Sequence, residues 1–293
     1  MVTPELVFQQ IVNGLSIGAI YALVAVGLTL IFGIMDVINF AHGEFVMLGA
    51  YAGFWILALT GLPYPVALVL AIALVGIAAI GIERLVFRPL YDRSLLAIVM
   101  VAFGLLLFLQ NAALMAWGGI PKSIADPFGN ATLRVAGLYI SYLRLFAMGM
   151  AVVLFGGMWA VLMRTKIGKA LRATAQNPEA AVIRGIDTDR VYMTTFAISG
   201  ALAAAAGVVY GTLFSVSPTM GLLPLLKAFA AIIIGGLGSV TGALLGGLLI
   251  GVVEALGAGL IPGGSGYRDA FAFVLLIVVL LLRPQGLLGG WQR

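Results

Sequence analysis

Long apolar runs alternate with short polar links along the whole chain. The runs fall at about 11–33, 44–60, 65–86, 95–117, 143–163, 192–213, 224–258 and 269–282. Several of them come near or exceed the roughly 20 residues that carry a helix across a bilayer. The pattern predicts an all-α polytopic membrane protein with about eight membrane segments. There are nine if the run 224–258 is two helices, because Gly235, Gly236, Gly238 and Ser239 interrupt it. Such a break exposes backbone groups, which have to face protein or a water-filled cavity and not lipid. The stretch NFAHGEF, Asn39–Phe45, is a second interruption, between the first two runs. Small-residue-rich stretches at 14–33 and 197–211 precede the two breaks. Paired interruptions of this kind predict broken helices in an inverted repeat, with a pathway at the repeat interface.

Composition agrees with the pattern. The chain is 62% hydrophobic and 9% charged, against about 45–50% and about 25% for a soluble domain. It has no cysteine, which excludes disulfides, thiolate metal sites and cysteine nucleophiles. The net charge of +5 is not read as a nucleic-acid signal, because in a membrane protein the placement of Lys and Arg decides orientation. Loop 164–190, link 84–93 and the C-terminus hold eleven of the sixteen basic residues, Arg293 among them. These regions are assigned to the cytoplasm, and parity then puts the N-terminus outside. MVTPELVFQQ lacks the basic start of a signal peptide, so the first run is expected to be a retained span. The whole of 1–293 is expected to be one transmembrane domain, with a cytoplasmic loop at 164–191 and an external loop at 118–142. The latter, WGGIPKSIADPFGN onward, is rich in turn formers and is read as a short cap.

His42 is the only histidine, and Glu44 follows two residues on. No serine lies in 17–93, no H-E-x-x-H pattern is present, and one histidine without cysteine makes a poor zinc site. The motif is therefore read neither as catalytic nor as a metal site. Two readings stand. His42 and Glu44 satisfy exposed backbone at the break, or Asn39, His42 and Glu44 line or gate a route. Parity places the break near the cytoplasmic surface, which lowers the cost of charge. Gly236, Gly238 and Ser239 are the matching candidates in the second half.

The loop segment QNPEAAVIRGID, Gln176–Asp187, predicts a two-turn helix over about 178–184. Asn177 is a good N-cap, Pro178 suits the first helical position, Glu179 favours the helix dipole and Gly185 fits C′. Ala180 and Ala181 open a small apolar face. Glu179-Ala180-Ala181, three residues and Gly185 resemble the EAA loop of ABC importer permeases. In that family the loop docks in a cleft of the ATPase subunit.

Three further stretches carry a wider resemblance. GLSIGAIYALVAVGLTLIFGIMDVINFAHGEFVMLGAY (Gly14–Tyr51), GIDTDRV with TTFAISGALAAAAGVVYG (Gly185–Gly211) and RPQGLLG (Arg283–Gly289) resemble the LivH-like branched-chain amino acid permeases of ABC importers. The four matches occur in order across the chain. The resemblance implies an ABC importer permease-like fold in a bacterial inner membrane, translocating branched-chain or related amino acids without bond chemistry. It implies a second related permease, two cytoplasmic ATPase subunits, an external substrate-binding protein and the surrounding lipid as partners. No cofactor is expected in this chain, ATP being used by the partner subunits. Relatives for urea or short amides share the signature, and an autonomous channel or ion-driven transporter is the rival from another class. Asn13, Gln110, Asn111 and Glu254 are the other polar residues inside spans. Each can hydrogen-bond a neighbouring helix. Glu254 is the costliest to bury and is expected to face the partner permease or a cavity, or to be protonated.

Overall fold

The computed structural model describes residues 3–135 and 137–288. Arg293 and Gly289 of the C-terminal motif lie outside them. Among the described residues, eight helices are long and apolar enough to cross a membrane, and a shorter apolar helix joins them. In order, α1 is Pro4–Met35, α2 His42–Thr60, α3 Tyr64–Ile82, α4 Leu95–Trp117 and α5 Tyr142–Arg164. Two short helices of loop 164–191 follow, α6 Lys166–Gln176 and α7 Pro178–Ile183. Then come α8 Thr188–Leu213, α9 Leu222–Gly235, α10 Val240–Leu260 and α11 Arg268–Leu282. The run 224–258 is thus two helices. The chain between α3 and α4 continues first as a wide turn, Glu83–Phe87, then as a tight one, Arg88–Leu90.

Small residues set the centre of the bundle. Lipid offers helices no hydrophobic drive to associate, so close van der Waals approach has to hold them. α1 is the most buried span, and α4, α5 and α11 are the most exposed. Gly14 and Gly18 of α1 meet α10 backbone to backbone: a Cβ on Gly18 would fall 2.9 Å from the Leu248 carbonyl oxygen. α10 turns Gly242 and Gly246 toward α9, and Gly247 and Gly251 toward α1. Its two G-x-x-x-G spacings therefore serve two different neighbours. Gly49 and Gly53 of α2 lie on Ala204 and Val208 of α8.

The packing partners repeat. α1 lies along α10 and also touches α9, while α8 lies along α3 and α2. α2 touches α4 as α9 touches α11. The units α1–α4 and α8–α11 present the same order of contacts, and an odd number of crossings between them runs them in opposite directions. This order matches the α1–α2 link with the α8–α9 link, 214–221. It matches the glycine break with the α2–α3 link, not with NFAHGEF as the sequence pattern suggests.

Loop 118–142 is more structured than turn composition predicts. Thr132–Val135 and Leu138–Ser141 form an antiparallel hairpin, β1 and β2. The Gln9 amide side chain pairs with both backbone groups of Tyr139, at 2.9 and 2.8 Å. Lys122 and Val216 exchange backbone hydrogen bonds at 2.9 and 2.8 Å, which ties the loop to the α8–α9 link.

Candidate functional site

The break after α1 begins at Asp36, whose left-handed φ of 56° ends the helix. The chain then turns back into the bundle. Asn39 is fully buried, and its Oδ1 accepts from the Ala41 amide at 3.0 Å. His42 starts α2 and is fully buried. Its Nε2 lies 3.1 Å from the Val24 carbonyl oxygen of α1. A carbonyl only accepts, so Nε2 carries the proton. Its Nδ1 is 3.4 Å from Ser199 Oγ of α8, and that hydroxyl donates to the Gly27 carbonyl. His42 therefore pins α2 to α1, and Ser199, packed beside its Nδ1, ties α8 to the same stretch of α1. Ser199 lies near the middle of α8, so the start of α2 sits at mid-span depth and not at the cytoplasmic surface that parity suggests. The α8–α9 link enters to the same place: a Cβ on Gly43 would fall 2.6 Å from the Gly221 carbonyl oxygen. Two helix N-termini meet inside the protein.

Glu44 points elsewhere, as its two-residue offset from His42 requires. It is fully buried, and its Oε1 accepts from Gln110 Nε2 of α4 at 3.0 Å. Its Oε2 has no partner among the described residues. Gln110 is half-buried and Asn111 beside it is exposed. Gln110 thus ties Glu44 to α4, while Asn111 donates to the Leu107 carbonyl of its own helix at 2.8 Å.

The glycine break is a backbone device. Gly236, with φ 102°, and Gly238, with φ 80°, occupy conformations that favour glycine. Ser239 caps α10, its Oγ accepting from the Gly242 amide at 3.0 Å. The C-terminal motif closes the end of α9. The Leu287 and Leu288 amides donate to the Ile234 and Gly235 carbonyls at 2.7 and 3.1 Å. RPQGLLG thereby satisfies two carbonyls that the end of a helix leaves free.

A charged cluster joins α1, α9, α10 and α11. Lys227 Nζ lies 2.8 Å from Glu254 Oε1, 2.7 Å from Asp269 Oδ1 and 2.9 Å from Tyr21 Oη. Tyr21 Oη in turn donates to Glu254 Oε2 at 3.2 Å. Glu254 is therefore paired inside this chain, where the sequence suggests the partner permease, a cavity or protonation. The signal was available, because a carboxylate at membrane depth needs a base on an adjacent helix. Asn13 accepts from Arg144 of α5.

Loop 164–191 has the predicted helix and one that the sequence pattern did not lead us to expect. KIGKALRATAQ is amphipathic and forms α6, burying Gly168, Leu171 and Thr174. Asn177 caps α7, its Oδ1 accepting from the Ala180 amide at 2.9 Å, and Pro178 opens the helix. Gly185 has φ 81°. Its amide donates to Val182 and that of Ile186 to Ala181, at 2.9 and 3.0 Å, the paired closure expected of a C′ glycine. Ala181 packs inward, while Glu179 and Ala180 are exposed. Val182 is 56% and Ile183 86% exposed. Beside α7, Arg88 pairs with Asp189 across the start of α8. Burial, and then its 2.7 Å hydrogen bond to Glu83, push the Tyr91 phenol well above its ordinary value.

Comparison with known proteins places this geometry. A family model described as branched-chain amino acid transport system / permease component matches residues 10–280. The high-affinity branched-chain amino acid transport system permease protein BraD of Pseudomonas aeruginosa is 39% identical, over 96% of this chain and 95% of its own. Escherichia coli LivH, of the same description, is 36% identical over 96% and 95%. The Methanocaldococcus jannaschii protein described as a probable LivH is 32% identical over 92% and 89%. Among solved structures, PsaBC from Streptococcus pneumoniae in complex with Fab shares the fold, with TM-score 0.52 and 13% identity. That match covers 93% of this chain and 91% of that one. The chain belongs to the branched-chain amino acid transport system permease component family.

Proposed function

We propose that this chain is the membrane subunit of an ABC importer that carries branched-chain or related amino acids across the inner membrane. The observation that carries the reading is α7. It is a doubly capped helix of six residues that holds Val182 and Ile183 out into solvent. A helix this short is marginal alone, and an apolar face on a preformed helix suits docking in a partner's groove. The match along the chain to branched-chain amino acid permeases supplies the cargo class. The partners follow from it: a second related permease, two cytoplasmic ATPase subunits that use ATP, and an external binding protein. Asn177, Pro178, Glu179, Ala180, Ala181 and Gly185 build the docking helix.

Along the route the residues divide. Asn39 and His42 are sealed and hold the break together. Glu44 is as buried as they are, and its bond to Gln110 of α4 makes it the candidate through which the break meets the route. Gly236, Gly238 and Ser239 act as the hinge between α9 and α10. ATP-driven closure of the ATPase pair moves α7, and the hinge and the α1–α2 break pass that motion to the route.

The test is uptake into vesicles holding this chain with its partner subunits, with the binding protein outside and ATP inside. Labelled leucine accumulates only with ATP. Equal uptake without ATP overturns the importer reading in favour of a channel. ATP-driven uptake of urea with none of leucine overturns the cargo class alone.

A further inference from the structure

We propose that the cleft between α1, α5, α6 and the α9–α10 turn binds an anionic phospholipid of the cytoplasmic leaflet. The cleft holds about 310 Å³. Leu30, Ile34, Met158 and Leu162 form its apolar wall, and Arg172 of α6 stands at its polar end. The assignment rests on the permease reading only for which side is cytoplasmic.

Four observations point to this occupant. The first is charge: residues 164–178 hold Arg164, Lys166, Lys169 and Arg172 and no carboxylate. Basic residues grouped at the inner surface attract anionic headgroups. The second is Arg172 itself. Its Nη1 donates to the Leu162 carbonyl and lies 3.4 Å from the Met163 sulfur, and among the described residues no carboxylate pairs with it. A half-buried cation without a counter-ion invites an anion with lone pairs for its remaining donors. The third is Thr29, which lines the cleft fully buried while its hydroxyl has no partner among the described residues. The fourth is the mouth, where Trp159 is 53% exposed and Arg164 stacks over its ring at 5.8 Å. An exposed tryptophan beside a basic residue marks the headgroup level of a bilayer.

A soluble anion would use Arg172 but leave the apolar wall wet. A phospholipid fills both, with its phosphate on Arg172 and one acyl chain against α1 and α5. The consequence is mechanical. α6 leads directly into α7, and Gly238 of the α9–α10 turn and Thr241 at the start of α10 line the same cleft. A lipid seated there clamps the docking helix to the hinge that it has to move.

The experiment uses the purified, delipidated full chain and asks which lipid it retains by native mass spectrometry and which raises its unfolding temperature. The probes are dioleoyl phosphatidylglycerol, dioleoyl phosphatidylcholine and inorganic phosphate. Phosphatidylglycerol is expected to bind at a saturable site and to stabilise, with the other two weaker. Arg172→Gln lowers its apparent affinity by about fivefold, more than Lys166→Gln or Lys169→Gln, while Arg172→Lys keeps most of it. Leu30→Trp, which fills the cleft, abolishes saturable binding. Equal binding of both lipids overturns the proposal, as does stabilisation by phosphate alone. Equal losses for all three basic residues overturn it too, since they would show diffuse attraction and no cleft. None of these readouts uses transport, so their failure leaves the importer reading standing.

Discussion

Between α1 and α2 the chain closes a helix break with side chains; between α9 and α10 it closes one with main chain. At the first, Asn39 caps a turn, His42 reaches the Val24 carbonyl, and Ser199 donates to the Gly27 carbonyl beside it. At the second, two glycines take left-handed angles and the Leu287 and Leu288 amides pair with the end of α9. Both breaks face the same demand, that buried backbone groups away from water be paired. The side-chain solution fixes one geometry through three helices at once. The glycine solution rests on residues with the widest choice of dihedrals. That difference is why we assign the first break to holding the scaffold and the second to flexing.

Four substitutions break or sharpen this contrast. The largest effect falls where the two breaks agree, since both have a glycine crossing another backbone: Gly43 on Gly221 and Gly235 on Gly242. Gly43→Leu and Gly235→Leu are each expected to cost on the order of 3 kcal/mol or more, with little folded protein by size exclusion in detergent. A monodisperse Gly43→Leu variant would show that the helix N-termini do not meet there. Next comes Leu287→Pro, which removes the amide that serves Ile234 while Leu287→Ala keeps it. The proline variant is expected to unfold about 3 kcal/mol more easily than the alanine one. Equal stability would put the closure of α9 elsewhere. His42→Ala is smaller, about 2 kcal/mol, read as a lower unfolding temperature with leucine uptake retained. Lost uptake at unchanged stability would move His42 from scaffold to route.

The two breaks also differ in how far the sequence reveals them. NFAHGEF is conspicuous because polar side chains interrupt an apolar run, yet its partners are not. Ser199 lies far along the chain from His42, and no local pattern joins them. The depth of the break was misjudged for a related reason: parity counts crossings, and a link that re-enters the bundle is not a turn at the surface. The glycine break was legible as a break, but its closure was not, because amide–carbonyl pairs leave no mark in residue identity. α7 was read almost to the residue, since its capping chemistry is entirely local. α6 was missed although its amphipathic pattern is equally local. Lys227 and Glu254 were each visible and were not put together, because spacing alone does not say which helices are neighbours.

The division of labour depends on α7 being the element through which ATP acts. ATP hydrolysis and leucine uptake, measured on the same vesicles with wild type and with Ile183→Asp, test that most directly. Ile183 is 86% exposed, so the change leaves folding intact, and the account predicts that hydrolysis and uptake fall together while the unfolding temperature of the chain stays the same. Full hydrolysis and full uptake in the variant would contradict it.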